Sequence, residues 1–98
     1  MTENPVRLLI VDDHTLFREG LRAMFLTVHD VEIVGEAASG REAIQQAAAL
    51  QPAVILMDIQ MGDMNGIEAS RRILEAVPET KIIMLTMLED SESLFAAI

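Results

Sequence analysis

The chain's 98 residues, 51% of them hydrophobic, suffice for one domain with its own core and leave no room for a second. Sixteen acids against seven bases give a formal net charge of −9, so this segment lacks the clustered Lys and Arg that nucleic-acid contact requires. There is no cysteine for disulfide or thiolate chemistry, no signal-peptide pattern, and no apolar run near the roughly 18 residues of a membrane span, so a soluble cytoplasmic protein is expected.

Met1 to Asn4 read as a loose tail, with Pro5 leading into the first strand. The apolar run from Val6 to Val11 predicts that strand, and Asp12-Asp13-His14 the loop after it. Phe17, Leu21, Met24, Phe25 and Val28 fall at helical spacing and predict a helix to about Val28, buried through that stripe, with Arg18 and Arg22 on the wet side. Val31 to Ala37 alternates Val31, Ile33 and Gly35 against Glu32 and Glu36, which suits an edge strand. Ser39 is a plausible N-cap for a helix from Arg41 to Leu50 with Ala43, Ile44, Ala47 and Ala48 facing inward.

After Pro52, five apolar residues (Ala53 to Met57) run without alternation into Asp58, as in a parallel strand buried on both faces. Asn65 or Gly66 opens a third helix to about Val77, buried through Ile67, Ala69, Ile73 and Leu74 and stopped by Pro78. Lys81 to Thr86 reads as a fourth strand, and Glu89 to Ile98 as a fourth helix with an acidic start that suits the helix dipole. Strand starts near 6, 31, 53 and 81 give βα units of roughly 25 residues, the rhythm of right-handed βαβ crossovers in an α/β, doubly wound parallel sheet. The helical pattern at Ile98 has no C-cap, and a fifth βα unit is expected and absent.

Asp58 and the pair Asp12-Asp13 close two apolar strands, and open α/β sheets place their ligand chemistry at that rim. Three converging carboxylates repel unless protons or a cation offset them. A hard, oxygen-only set suits Mg²⁺, with Mn²⁺ able to substitute; zinc is disfavoured because His14, expected as a loop neighbour and not a ligand, is the only soft donor nearby. A carboxylate can also attack phosphorus, a reaction that needs alignment and charge neutralisation more than acid–base groups. Asp58 is the candidate nucleophile, Thr86 a candidate hydroxyl donor, and Gly62 and Gly66 let the loop backbone approach the site.

The series Leu9-Ile10-Val11-Asp12-Asp13-His14, Met57-Asp58-Ile59-Gln60-Met61-Gly62-Asp63-Met64-Asn65-Gly66-Ile67-Glu68 and Ile83-Met84-Leu85-Thr86-Met87 resembles the response-regulator receiver domains of two-component signalling. The run Asp12 to Leu21 is similar to the NarL/FixJ (LuxR-type) subfamily, and the resemblance covers almost the whole chain. It implies a flavodoxin-like sheet of order 2-1-3-4-5, here 2-1-3-4 with the fifth unit missing. By the same resemblance Asp58 is the residue phosphorylated by a sensor histidine kinase, Asp12, Asp13, Asp58 and the Gln60 backbone carbonyl hold Mg²⁺, and Thr86 is the switch hydroxyl.

Two departures from the family stand out. Gly62 replaces the usual proline, which should loosen the loop, and the family's strand-five lysine and its aromatic neighbour would lie beyond Ile98. Without that lysine phosphotransfer should weaken and the switch uncouple. The helix-turn-helix output domain of the subfamily, through which transcription would be regulated, is also expected and absent. An open fourth-strand edge (Ile82 to Leu85), or the face beside Phe25, should then drive self-association as a dimer or a swapped assembly. Two other readings stand beside phosphoacceptance: a phosphorylation-incompetent module acting only by dimerisation or competition for a kinase, and an aspartate-nucleophile phosphatase. Gln60, where such phosphatases usually carry a second Asp, opposes the last.

Overall fold

The computed structural model describes residues 4–85. They form the expected doubly wound arrangement: four strands, β1 (Val6–Val11), β2 (Val31–Ala37), β3 (Val54–Asp58) and β4 (Lys81–Leu85), all parallel in the order β2-β1-β3-β4. Helices α1 (Thr15–Phe25), α2 (Gly40–Leu50) and α3 (Gly66–Ala76) make the crossovers. β1 and β3 are central, and their continuous apolar runs follow from burial on both faces. Leu9, Val11, Ile55 and Met57 point to one face, against Ala43 and Ala47 of α2 and Ala69 and Ile73 of α3. Leu8, Ile10 and Leu56 point to the other, where Leu21 and Phe25 of α1 pack.

Three sequence expectations need correction. α1 ends at Phe25, where the backbone tightens: the N–H groups of Leu26, Thr27 and Val28 turn to the carbonyls three residues back, at Ala23, Met24 and Phe25, and the Thr27 hydroxyl also donates to the Met24 carbonyl. Val28 therefore lies in the exposed turn toward β2, and Met24 is 54% exposed. In α2 and α3 the apolar stripe is wider than the contact, so Ala48, Ile67 and Leu74 face solvent while Ala43, Ala47, Ala69 and Ile73 are buried. β2 is the edge strand as read, but its alternation breaks. A bulge shifts its register between Leu8 and Leu9, pairing Ile33 with Leu8 and Gly35 with Leu9. The extra residue, Val34, flips the phase and moves Glu36 opposite Ile10, on the face that α1 covers.

Ser39 caps α2 as expected, its hydroxyl accepting from the Glu42 N–H at 3.1 Å. Thr86 and the predicted Glu89–Ile98 helix lie outside the described residues.

Candidate functional site

Parallel pairing of Val11 with Met57 brings the carboxyl ends of β1 and β3 to one rim. There one ligand atom from each of Asp12, Asp13, His14 and Asp58 lies within 4.8 Å of the others. Asp12 and Asp58 are fully buried, while Asp13 and His14 face outward.

The charge at this rim is only partly answered. Asp12 Oδ1 accepts from the His14 N–H at 2.7 Å, and His14 Nδ1 lies 2.8 Å from that oxygen and 3.0 Å from Asp13 Oδ1. Asp58 Oδ1 accepts the Gln60 N–H at 3.2 Å. The second oxygens, Asp12 Oδ2 and Asp58 Oδ2, are buried without a partner. Leaving a buried acceptor unmet costs about 1–3 kcal/mol, and more when it is charged, so two such atoms at one rim have the form of a cation site. The donor set fits a hard cation: carboxylate oxygens from two adjacent strands, with Asp13 open to water.

The titration directions follow from the same crowding. Burial pushes the Asp58 carboxyl up, as do the charges of Asp12 and Asp13, against the Gln60 N–H and the His14 ring. The hydrogen bond to Asp12 holds the His14 imidazole above its ordinary value, aided by the charges of Asp12, Asp13 and Asp58. His14 is a loop neighbour of the site, and in its protonated form it is the cationic partner of Asp12 and Asp13.

The loop from Ile59 to Asn65 is tied at three points. The Gly66 N–H bonds the Ile59 carbonyl at 2.7 Å, and a Cβ on Gly66 would stand 2.3 Å from the Asp58 carbonyl oxygen. Only glycine allows that approach. Asn65 Oδ1 caps α3 by accepting the Ile67 N–H at 2.7 Å. Asp63, unremarked in the sequence reading, accepts the Gly40 and Arg41 N–H groups at 2.8 and 3.0 Å, so it fastens the loop to the start of α2. Those bonds hold its carboxyl below the usual range, Arg41 first and then Gly40. Gly62 has open space around it and makes no close approach, contrary to expectation.

Of the predicted residues, Asp12, Asp13 and Asp58 converge, Gln60 adjoins them through its backbone N–H, and Thr86 lies outside the described residues. Arg18 and Arg22, placed on the wet side from sequence, both reach Glu36, and Arg18 also donates to the Asp12 carbonyl at 2.6 Å. Arg22 stays 53% exposed, as expected, whereas Arg18 is only 16% exposed; the β2 bulge explains that difference, since an unbroken alternation puts Glu36 on the opposite face.

Residues 8–98 match the response regulator receiver domain family. The response regulator protein VraR of Staphylococcus aureus is 47% identical over 88 residues, which are 89% of this chain and 42% of that protein, so the chain spans less than half the length of this curated relative. Among solved structures, the response regulator domain of Thermotoga maritima CheB superposes with a TM-score of 0.81 at 35% identity, covering 96% of this chain and 72% of that one. A LuxR-family two-component response regulator from Aurantimonas sp. SI85-9A1 gives 0.81 at 31%, covering 96% and 67%. The isolated REC domain of RcsB from Salmonella enterica serovar Typhimurium, solved in the presence of phosphomimetic BeF3⁻, gives 0.79 at 30%, covering 96% and 70%. Sheet order, acidic rim and kinship agree, and the chain belongs to the response regulator receiver domain family of two-component signalling.

Proposed function

We propose that this domain accepts a phosphoryl group on Asp58 from the phosphohistidine of a sensor histidine kinase, with Mg²⁺ held at the rim. The observation that carries the reading is the pair of buried, partnerless oxygens, Asp12 Oδ2 and Asp58 Oδ2, in a cluster of ligand atoms within 4.8 Å. Asp12, Asp13, Asp58 and the Gln60 carbonyl would hold the cation, and Mn²⁺ should substitute. When bound, it supplies positive charge against the phosphoryl oxygens.

The chain's own residues do the rest. Gln60 N–H holds Asp58 Oδ1 and leaves Oδ2 as the attacking atom. Attack forms the aspartyl O–P bond as the P–N bond to the donor imidazole breaks, and its electron pair leaves with that nitrogen. Gly66 and Asp63 fix the loop that orients Asp58. Thr86 is proposed as the switch hydroxyl. The expected setting is the cytoplasm, in agreement with a described chain in which no helix is long and apolar enough to cross a membrane. Output through a helix-turn-helix domain to transcription is the subfamily's pattern, and the LuxR-family relative supports it.

Incubation with acetyl phosphate and Mg²⁺ should add one phosphoryl group by intact mass, lost with EDTA and in Asp58→Asn. No adduct on a folded, Mg²⁺-containing sample would overturn the proposal and favour a module that acts only by binding.

Self-association is a second reading, additional to phosphoacceptance. Among the described strands β4 is an edge, with Ile83 51% exposed, and Phe25 lines an apolar cavity of about 390 Å³ with Leu26, Val28 and Ile33. Light scattering should show a dimer, and a monodisperse monomer at high concentration would exclude it.

A further inference from the structure

Asp12 bears one of the two partnerless oxygens, yet it lies one residue past β1. Its backbone is nevertheless gripped on both sides. The Asp12 N–H donates to the Ala37 carbonyl at 3.0 Å, and the Asp12 carbonyl accepts from Arg18 Nη1 at 2.6 Å. The guanidinium is itself held, because Arg18 Nε donates to Glu36 Oε1 at 3.3 Å. Glu36 is in reach only because the β2 bulge turns it toward α1. With its side chain 16% exposed, Arg18 is largely shielded from water, where a charged donor on a carbonyl is stronger than a neutral one.

We propose that Arg18 is a positioning residue, locking the Asp12 peptide so that its carboxylate faces the cation site; this rests on the Mg²⁺-dependent phosphoacceptor reading above. Two fixed peptide planes set the Cα–Cβ direction of Asp12, so Arg18 acts on the ligand oxygen through the backbone and touches neither cation nor phosphoryl group. The planar fork is what serves, since two N–H donors of one guanidinium hold a carbonyl and a carboxylate in fixed relative orientation. Arg22 provides an internal contrast. It bonds the other Glu36 oxygen at 2.6 Å, but from a side chain 53% exposed and one turn further along α1.

Calorimetric titration of the full chain with Mg²⁺, for variants matched in folded fraction by circular dichroism, tests this. Arg18→Ala should weaken Mg²⁺ binding about tenfold, as loss of a support behind a metal ligand commonly does. Arg18→Lys should recover part of that loss, and Arg22→Ala should bind as wild type. Where Arg18→Ala fails to fold, Glu36→Ala substitutes: it frees the guanidinium and should also weaken binding, by less than Arg18→Ala is expected to. Undiminished affinity in the folded Arg18 variant, or in Glu36→Ala when it stands in, would overturn the proposal. Equal losses in Arg18→Ala and Arg22→Ala would overturn it too, since Arg22 makes no bond to Asp12 and removing a positive charge by itself should strengthen, not weaken, Mg²⁺ binding. Wild type that binds no Mg²⁺ defeats the phosphoacceptor reading itself, an outcome distinct from these.

Discussion

Asp58→Asn should stabilise the metal-free protein. The substitution keeps the shape of a fully buried side chain and removes one charge from a cluster whose ligand atoms lie within 4.8 Å of one another. At an effective dielectric of about 20, two unit charges that far apart repel by about 3 kcal/mol, and Asp58 faces two such neighbours, Asp12 and Asp13. The His14 ring relieves part of this, and the bond from the Gln60 N–H weakens by about 1 kcal/mol when its acceptor turns neutral. The net expectation is a gain of about 2 kcal/mol near neutral pH, or roughly 8–16 °C in Tm for a chain of this size. Thermal melts followed by circular dichroism, in EDTA and in Mg²⁺, check it. Mg²⁺ at a hundredfold excess over its Kd should stabilise wild type by about 2.7 kcal/mol and the variant far less. An Asp58→Asn protein less stable than wild type in EDTA, with Mg²⁺ raising both equally, would refute this reasoning.

Other outcomes follow from the same rim and its loop. The folded Asp58 carboxyl holds its proton above its ordinary 3.8, so metal-free stability should fall as pH rises from 3.8 through the folded value, a slope that vanishes in Asp58→Asn. Asp63 has the opposite sign: its contribution is present above 3.8 and lost as pH falls through its lowered folded value, so Asp63→Ala should destabilise at neutral pH and converge with wild type in acid melts. Gly66→Ala sets a Cβ 2.3 Å from the Asp58 carbonyl oxygen and 2.9 Å from Ile59 Cα, contacts with backbone that no rotamer relieves. It should cost about 1–3 kcal/mol by denaturant melt and abolish acetyl phosphate labelling, whereas Gly62→Ala, in open space, should leave labelling intact.

What could be read from the sequence was whatever burial writes as a continuous pattern. β1 and β3 are covered on both faces, so their apolar runs, and the aspartates that end them, stand out without any knowledge of neighbours. The Ser39 cap is local and equally visible. What escaped depends on tertiary placement. The bulge that carries Glu36 to the α1 face is a one-residue slip in β2, and with it Arg18 changes from a solvent residue to the partner of the Asp12 carbonyl. Asp63 looks like any loop acid until α2 is set against it. Ile67 and Leu74 carry the right period for burial, but α3 meets its neighbours along the narrower line of Ala69 and Ile73.

The central claim, that Asp58 and no other acid of the rim carries the phosphoryl group, has a direct chemical test. An acyl phosphate is reduced by borohydride to an alcohol, which turns the modified aspartate into homoserine. After acetyl phosphate and Mg²⁺, reduction and peptide mapping should find homoserine at position 58 alone, and none when EDTA is present. Homoserine at position 12 or 13, or a phosphoryl group that resists reduction, would contradict the account.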